Sequence, residues 1–297
     1  MPALKGRKAE LIEAPKIKMC IFGSYKTWKT RFSLQWPSTY YIDVESGAKL
    51  PLYKKDLVNS GGLYFGPEDG SQDFGLVLQE VKALLTTKHD RKTLVIDSVS
   101  ELEGISIAKE EERLDDAKMD MKFGAQKKPA IKNMRRLFNY IRSIDMNVIL
   151  LAHKKDAWEG SGNDRKVVGT TYDGWDKIGH KIDLLCESKL EGGQGQMIVK
   201  GSRYEAFPIG KTIPMDYAIF SQMYGKEIIE KVAVPLIPST PEQVAEIERL
   251  IALLKIDPEE VDRWLTKAEA EEIDDLSKDH ADKILTFLTD KVKGVTK

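Results

Sequence analysis

Eight residues, Gly23-Ser24-Tyr25-Lys26-Thr27-Trp28-Lys29-Thr30, carry the sharpest chemical signal in the chain. They nearly fit G-x-x-x-x-G-K-[ST]. In that pattern backbone N–H groups wrap phosphates, a lysine reaches the β and γ oxygens, and a hydroxyl holds Mg²⁺. Gly23, Lys29 and Thr30 fit. Trp28 stands where the pattern has glycine. A side chain there must accept a left-handed backbone, at roughly 1–2 kcal/mol, or leave the phosphate path. A helix opening near Thr30 would point its positive end at the same anion. The alternative is a strand–turn–helix junction with a chance Lys-Thr.

Three apolar runs end in polar residues able to act on such a ligand. TLVID ends in Asp97, which can hold the water shell of Mg²⁺ or cap the next helix; beside a phosphate loop, the metal role is the stronger reading. YYIDVE ends in Glu45, which can polarise an attacking water as a general base. Asp43 alternates to the opposite face, and a turn role with Ser46-Gly47 is the alternative for Glu45. VILLAH ends in His153, either a γ-phosphate sensor or a hydrogen-bonded structural residue.

From Lys154 to Lys177 the chain is polar and glycine-containing and reads as a long loop. Lys154, Lys155, Arg165 and Lys166 interleave with Trp158 and Trp175. Cations among aromatics suit single-stranded DNA, with phosphates neutralised and bases stacked. A solvated, mobile loop is the alternative.

These residues need a scaffold. Candidate strands lie at Lys18–Gly23, Thr39–Val44, Leu63–Phe65, Thr93–Asp97, Asn147–Ala152, Ile182–Glu187 and Gln196–Lys200. Several are continuous apolar runs, as in strands buried on both faces of a parallel sheet. Helical stretches fall between them at Lys29–Gln35, Gly75–Thr86, Ser100–Asp116 and Ala130–Ile144. The alternation predicts an α/β core with a mainly parallel sheet over residues 1–232. Residues 233–240, rich in proline, read as a linker. Residues 241–297 read as a small helical module, opening with the capping box Thr240-Pro241-Glu242-Gln243.

Composition narrows the class. The 297 residues include 46 basic and 47 acidic ones, a net charge of −1. Residues 241–297 carry 15 acidic against 9 basic, so an acidic tail follows a mildly basic body. No apolar run approaches the roughly 18 residues of a membrane span, and the first residues lack a signal-peptide core. Cys20 and Cys186 stand isolated, which argues against structural zinc. A cytoplasmic protein without a membrane partner is expected.

The order GSYKTWKT, YYIDVES, TLVIDSVSEL and NVILLAHKK resembles the ATPase core of RecA/RadA-type recombinases, over roughly Lys16 to Lys231. With its acidic helical tail, it is most similar to phage-encoded RecA-like ATPases associated with single-strand annealing and recombination; their setting is the host cytoplasm. The resemblance implies ATP and Mg²⁺ as ligands, held by the residues from Gly23 to Thr30 and by Asp97. It implies Glu45 as the catalytic acidic residue and His153 as the sensor. It further implies self-association into a filament or ring, with Lys200 and Arg203 reaching a neighbour's ATP. The C-terminal helices would meet a protein partner. The reading is an ATP-dependent single-stranded DNA-binding recombinase or annealing ATPase. Its rivals are a ring helicase or translocase motor, and a nucleotide-independent scaffold whose phosphate loop Trp28 has spoiled.

Overall fold

A computed structural model describes residues 14–117, 127–161 and 164–295. Its frame is an eight-stranded sheet. In chain order the strands are β1 (Lys18–Gly23), β2 (Thr39–Asp43), β3 (Leu63–Phe65), β4 (Thr93–Asp97), β5 (Asn147–Ala152), β8 (Leu184–Glu191), β9 (Gln194–Ser202) and β10 (Thr212–Pro214). Their spatial order is β10-β9-β8-β1-β5-β4-β2-β3. The six strands from β8 to β3 run parallel; β9 and β10 return antiparallel. This is the α/β architecture with a mainly parallel sheet that the alternation of apolar runs and helical stretches predicts.

Helices cover both faces because the strands are apolar on both. One apolar cluster joins the sheet to α3 (Phe74–Thr86), α4 (Val99–Asp116) and α5 (Lys127–Ser143). The other joins it to α1 (Lys29–Ser33), α2 (Pro51–Asn59), α7 (Tyr217–Tyr224) and α8 (Lys226–Glu230). Register then sets the geometry that matters for chemistry. Asp43 lies beside Asp97, Asp97 beside Leu151, and Phe22 beside Ala152. Residues that follow β1, β2, β4 and β5 therefore emerge together at one sheet edge, where ligands of open parallel sheets bind.

Two expectations need correction. The segment from Lys154 to Lys177 is not an unstructured loop. It forms an antiparallel hairpin, β6 (Lys154–Glu159) with β7 (Lys166–Tyr172), before the short helix α6 (Ile178–Lys181). Alternation in KKDAWE and KVVGTTY was too weak to reveal strands, because their two-stranded sheet buries little on either face. The strand expected at Ile182–Glu187 starts at Leu184 and continues to Glu191, so it pairs with β9 along its length.

Three further helices, α9 (Pro241–Leu254), α10 (Pro258–Lys267) and α11 (Lys278–Val295), enclose an apolar cluster around Ile247, Leu250, Leu265, Leu276 and Leu288. The Thr240–Gln243 capping box forms as expected, with both reciprocal bonds present. Among the described residues no helix is long and apolar enough to cross a membrane.

Candidate active site

The loop after β1 adopts two left-handed turns at non-glycine residues, Lys26 (φ 59°) and Trp28 (φ 71°). Trp28 therefore holds the backbone conformation for which a glycine is the usual choice. Its side chain leaves the loop sideways, over β9. A Cβ on Gly195 would come within 2.5 Å of the Trp28 Cβ, so the indole occupies room that Gly195 leaves. The Arg31 guanidinium lies 4.3 Å from the Trp28 ring centroid. Gly23 is required by its neighbour on β8: a Cβ there would meet Ser188 Oγ at 2.0 Å. That same Ser188 Oγ lies 2.6 Å from Thr27 Oγ1, which also donates to Ser24 O. Ser24, Tyr25 and Lys26 face outward.

Lys29 Nζ donates to Gly23 O and Ser24 O, at 3.0 and 2.7 Å, and so lies along the loop. Thr30 Oγ1 donates to Asp97 Oδ2 at 2.8 Å, and Tyr41 Oη donates to the same oxygen at 2.6 Å. Burial lowers the pKa of Lys29, against the attraction of Asp97 and Glu45. Burial raises that of Asp97, against the hydrogen bonds from Tyr41 and Thr30. A cation and an anion are thus held in partial desolvation, an arrangement that phosphate beside the lysine and a divalent cation beside the carboxylate would both relieve.

The roles that compete for the acidic residues are filled by their neighbours. Ser98, not Asp97, caps α4, accepting from Glu101 N. Asp43, not Glu45, builds the turn after β2, accepting from the N–H groups of Gly47 and Ala48 and from Tyr64 Oη. Glu45 faces the opening. It accepts from Ser98 Oγ and lies 2.9 Å from His153 Nε2. Glu101 approaches the other side of the His153 ring, at 3.9 Å. Glu45, Glu101 and His153 offer ligand atoms close enough to converge on a single ion.

Gly23, Lys29, Thr30, Glu45, Asp97 and His153 line one open cleft of 660 Å³. Lys154 and Lys155 line it too, which sequence reasoning assigned only to nucleic acid. Lys154 and Lys200 both pair with Glu187, each at 2.8 Å, and Thr170 Oγ1 donates to it at 2.9 Å. Glu187 pays a burial penalty that those hydrogen bonds outweigh, and its pKa falls to about 2. Ser188, Glu187 and Tyr41 were missed as site-supporting residues. No local motif marks them, because they meet the loop and Asp97 only through strand register.

The remaining expected residues separate. Trp158 is 50% exposed on the hairpin, with the Arg165 guanidinium 4.8 Å from its ring centroid. Lys155 pairs with Asp173, and Lys166 is exposed. Trp175 is only 6% exposed and packs against Phe138, so its expected stacking on bases is corrected to a core role. Arg203 is absent from the cleft. It pairs with Asp183, whose N–H bonds Lys18 O at the opposite end of β1 from Gly23.

A family model described as an AAA domain matches residues 15–206. No curated protein matches the chain. Among solved structures, a crystal structure of the RadB recombinase is similar at 14% identity, over 67% of this chain and 86% of that one, with a TM-score of 0.39.

Proposed function

Because the chain belongs to the AAA-domain family, we propose that it is a magnesium-dependent ATPase that couples nucleotide to single-stranded DNA binding during strand annealing or exchange. The observation that carries the ATPase reading is the 2.8 Å contact between Thr30 and Asp97 in the cleft that also holds Lys29 and Glu45. Thr30 and Asp97 present hard oxygen donors and few of them, as suits Mg²⁺, which keeps several waters. When bound, that ion neutralises charge on the β and γ oxygens. Lys29 and the loop N–H groups hold the phosphates. Glu45 orients the attacking water and takes its proton, while Ser98 and His153 fix its carboxylate. The left-handed backbone of Trp28 and the space at Gly195 speak against a loop spoiled by Trp28.

The DNA reading rests on the hairpin. It leaves the cleft at Lys154 and presents Trp158, Arg165 and Lys166 outward. The functional divisions would be the core over 1–232, the linker over 233–240 and the helices over 241–297. One ATP site would lie between subunits of a filament or ring, where exposed Arg203 is free of this chain's own cleft.

Lys29→Ala should abolish Mg·ATP binding, whereas Glu45→Gln should bind Mg·ATP and fail to turn it over. Equilibrium binding and phosphate-release assays separate the two, and unchanged turnover in both variants would overturn the ATPase assignment. Wild-type protein without affinity for single strands, with and without an ATP analogue, would overturn the DNA assignment alone.

A further inference from the structure

Away from the nucleotide cleft, α10 and α11 enclose a groove of 320 Å³ whose apolar lining is Trp264, Ala268, Ile284 and Phe287. That lies near the bottom of the roughly 300–1,000 Å³ of ligand pockets. It suits one or two side chains better than a cofactor. The Trp264 and Phe287 rings meet edge to face, with centroids 5.6 Å apart, and Phe287 remains 42% exposed. Aromatic surface left open in this way is the usual anchor of a protein contact.

The rim is cationic. Lys267, His280 and Lys283 line the groove, and no carboxylate among the described residues does. Neither Lys267 nor Lys283 has an ion-pair partner among the described residues, although both are exposed in a segment carrying net −6. Lys291 adds a further cation 4.7 Å from the Phe287 ring centroid, itself paired with Glu260. Charge at this one place therefore runs opposite to that of the surrounding helices. An apolar floor with an unpaired basic rim is complementary to an acidic peptide carrying an apolar side chain.

We propose that this groove binds an acidic segment of a partner protein. One apolar side chain would seat against Trp264 and Phe287, and the flanking carboxylates would pair with Lys267 and Lys283. The affinity should need both halves, since surface ion pairs alone contribute little.

The probe is a fluorescein-labelled Asp-Glu-Asp-Leu-Phe peptide titrated with the full chain and followed by anisotropy. Saturable binding is expected. It should weaken about tenfold or more in the double variant Lys267→Glu/Lys283→Glu and in Phe287→Ala. Replacing the peptide's Leu-Phe with Ser-Ser should cost at least as much. Circular dichroism of both protein variants should match wild type, because all three side chains are exposed. Equal binding by wild type and the charge variant would overturn the proposal. So would absence of saturable binding accompanied by self-association that the charge variant abolishes, which would assign the groove to a second copy of the chain. Absence of both binding and self-association would equally overturn it.

Discussion

Trp28 and Gly195 form a matched pair. A tryptophan in left-handed geometry is tolerable because β9 carries no Cβ where the indole leaves the loop. Gly195→Ala should therefore destabilise the protein by about 1–3 kcal/mol, as an overpacked contact. Trp28→Gly should restore most of that loss, since it removes the clashing partner and suits the positive φ. Urea unfolding of the two single variants and the double variant checks this; additive losses would separate the residues. Nucleotide binding should survive in Trp28→Gly, because Lys29, Thr30 and Asp97 keep their places.

At the scale of elements, the proposed function gives the hairpin and the strand beside it different roles. Arg165→Ala and Lys166→Ala should each lower the salt dependence of single-strand binding by roughly 0.7 in log–log slope. Trp158→Ala should lose about 1–3 kcal/mol of stacking and leave the slope nearly unchanged. Trp175→Ala should instead lower thermal stability, because it empties a core site against Phe138. Neighbouring residues of β8 touch both the loop after β1 and the hairpin: Ser188 meets Thr27 in that loop, and Glu187 meets Lys154 and Thr170 at the hairpin base. Glu187→Gln should keep ATP binding and single-strand binding measurable separately but reduce the effect of an ATP analogue on DNA affinity. Titrations with and without the analogue read that difference.

At the scale of the whole molecule, two features each make a testable contribution to stability. The first is the docking of the helical segment on the core. Arg136 pairs with Asp275 at 2.7 Å, Tyr140 Oη donates to the same carboxylate, and the Asp275 side chain is only 2% exposed. Lys132, Arg135 and Arg142 add pairs to Glu272, Glu271 and Glu269. Arg136→Ala leaves Asp275 buried with Lys82, 3.6 Å away, as its remaining counter-charge, so docking should weaken, by less than the roughly 3–5 kcal/mol of a wholly uncompensated buried charge. Calorimetry should then show the helices melting ahead of the core. The second feature is Lys18, buried at the start of β1 and donating to Ile144 O and Met146 O at 2.6 Å each. Burial lowers its pKa to about 7 from an ordinary 10.5, against the pull of Asp145 and Asp183. Between those values the unfolded chain binds more protons than the folded one, so stability rises with pH across that window. Lys16, lowered to about 8 chiefly by burial, contributes in the same direction. Urea midpoints at pH 7, 8 and 9 should climb in wild type and climb less in Lys18→Met.

The sequence alone determined the parts whose cause is local. Continuous apolar runs identify β1, β2, β4 and β5 because strands buried on both faces have no polar side to alternate with. The convergence of the loop after β1 with the polar strand ends Glu45, Asp97 and His153 was legible because each follows one of those runs directly. The Thr240 capping box was legible because it closes within four residues. Only the tertiary structure decided what depends on register and packing between distant segments. It set Gly195 under Trp28, Ser188 against Thr27 and Tyr41 on Asp97. It also put Trp175 in the core and Arg203 at the far end of the sheet. Nothing in a residue's neighbours along the chain records which strand will lie beside it, and a side chain's solvent access is settled only when that strand arrives.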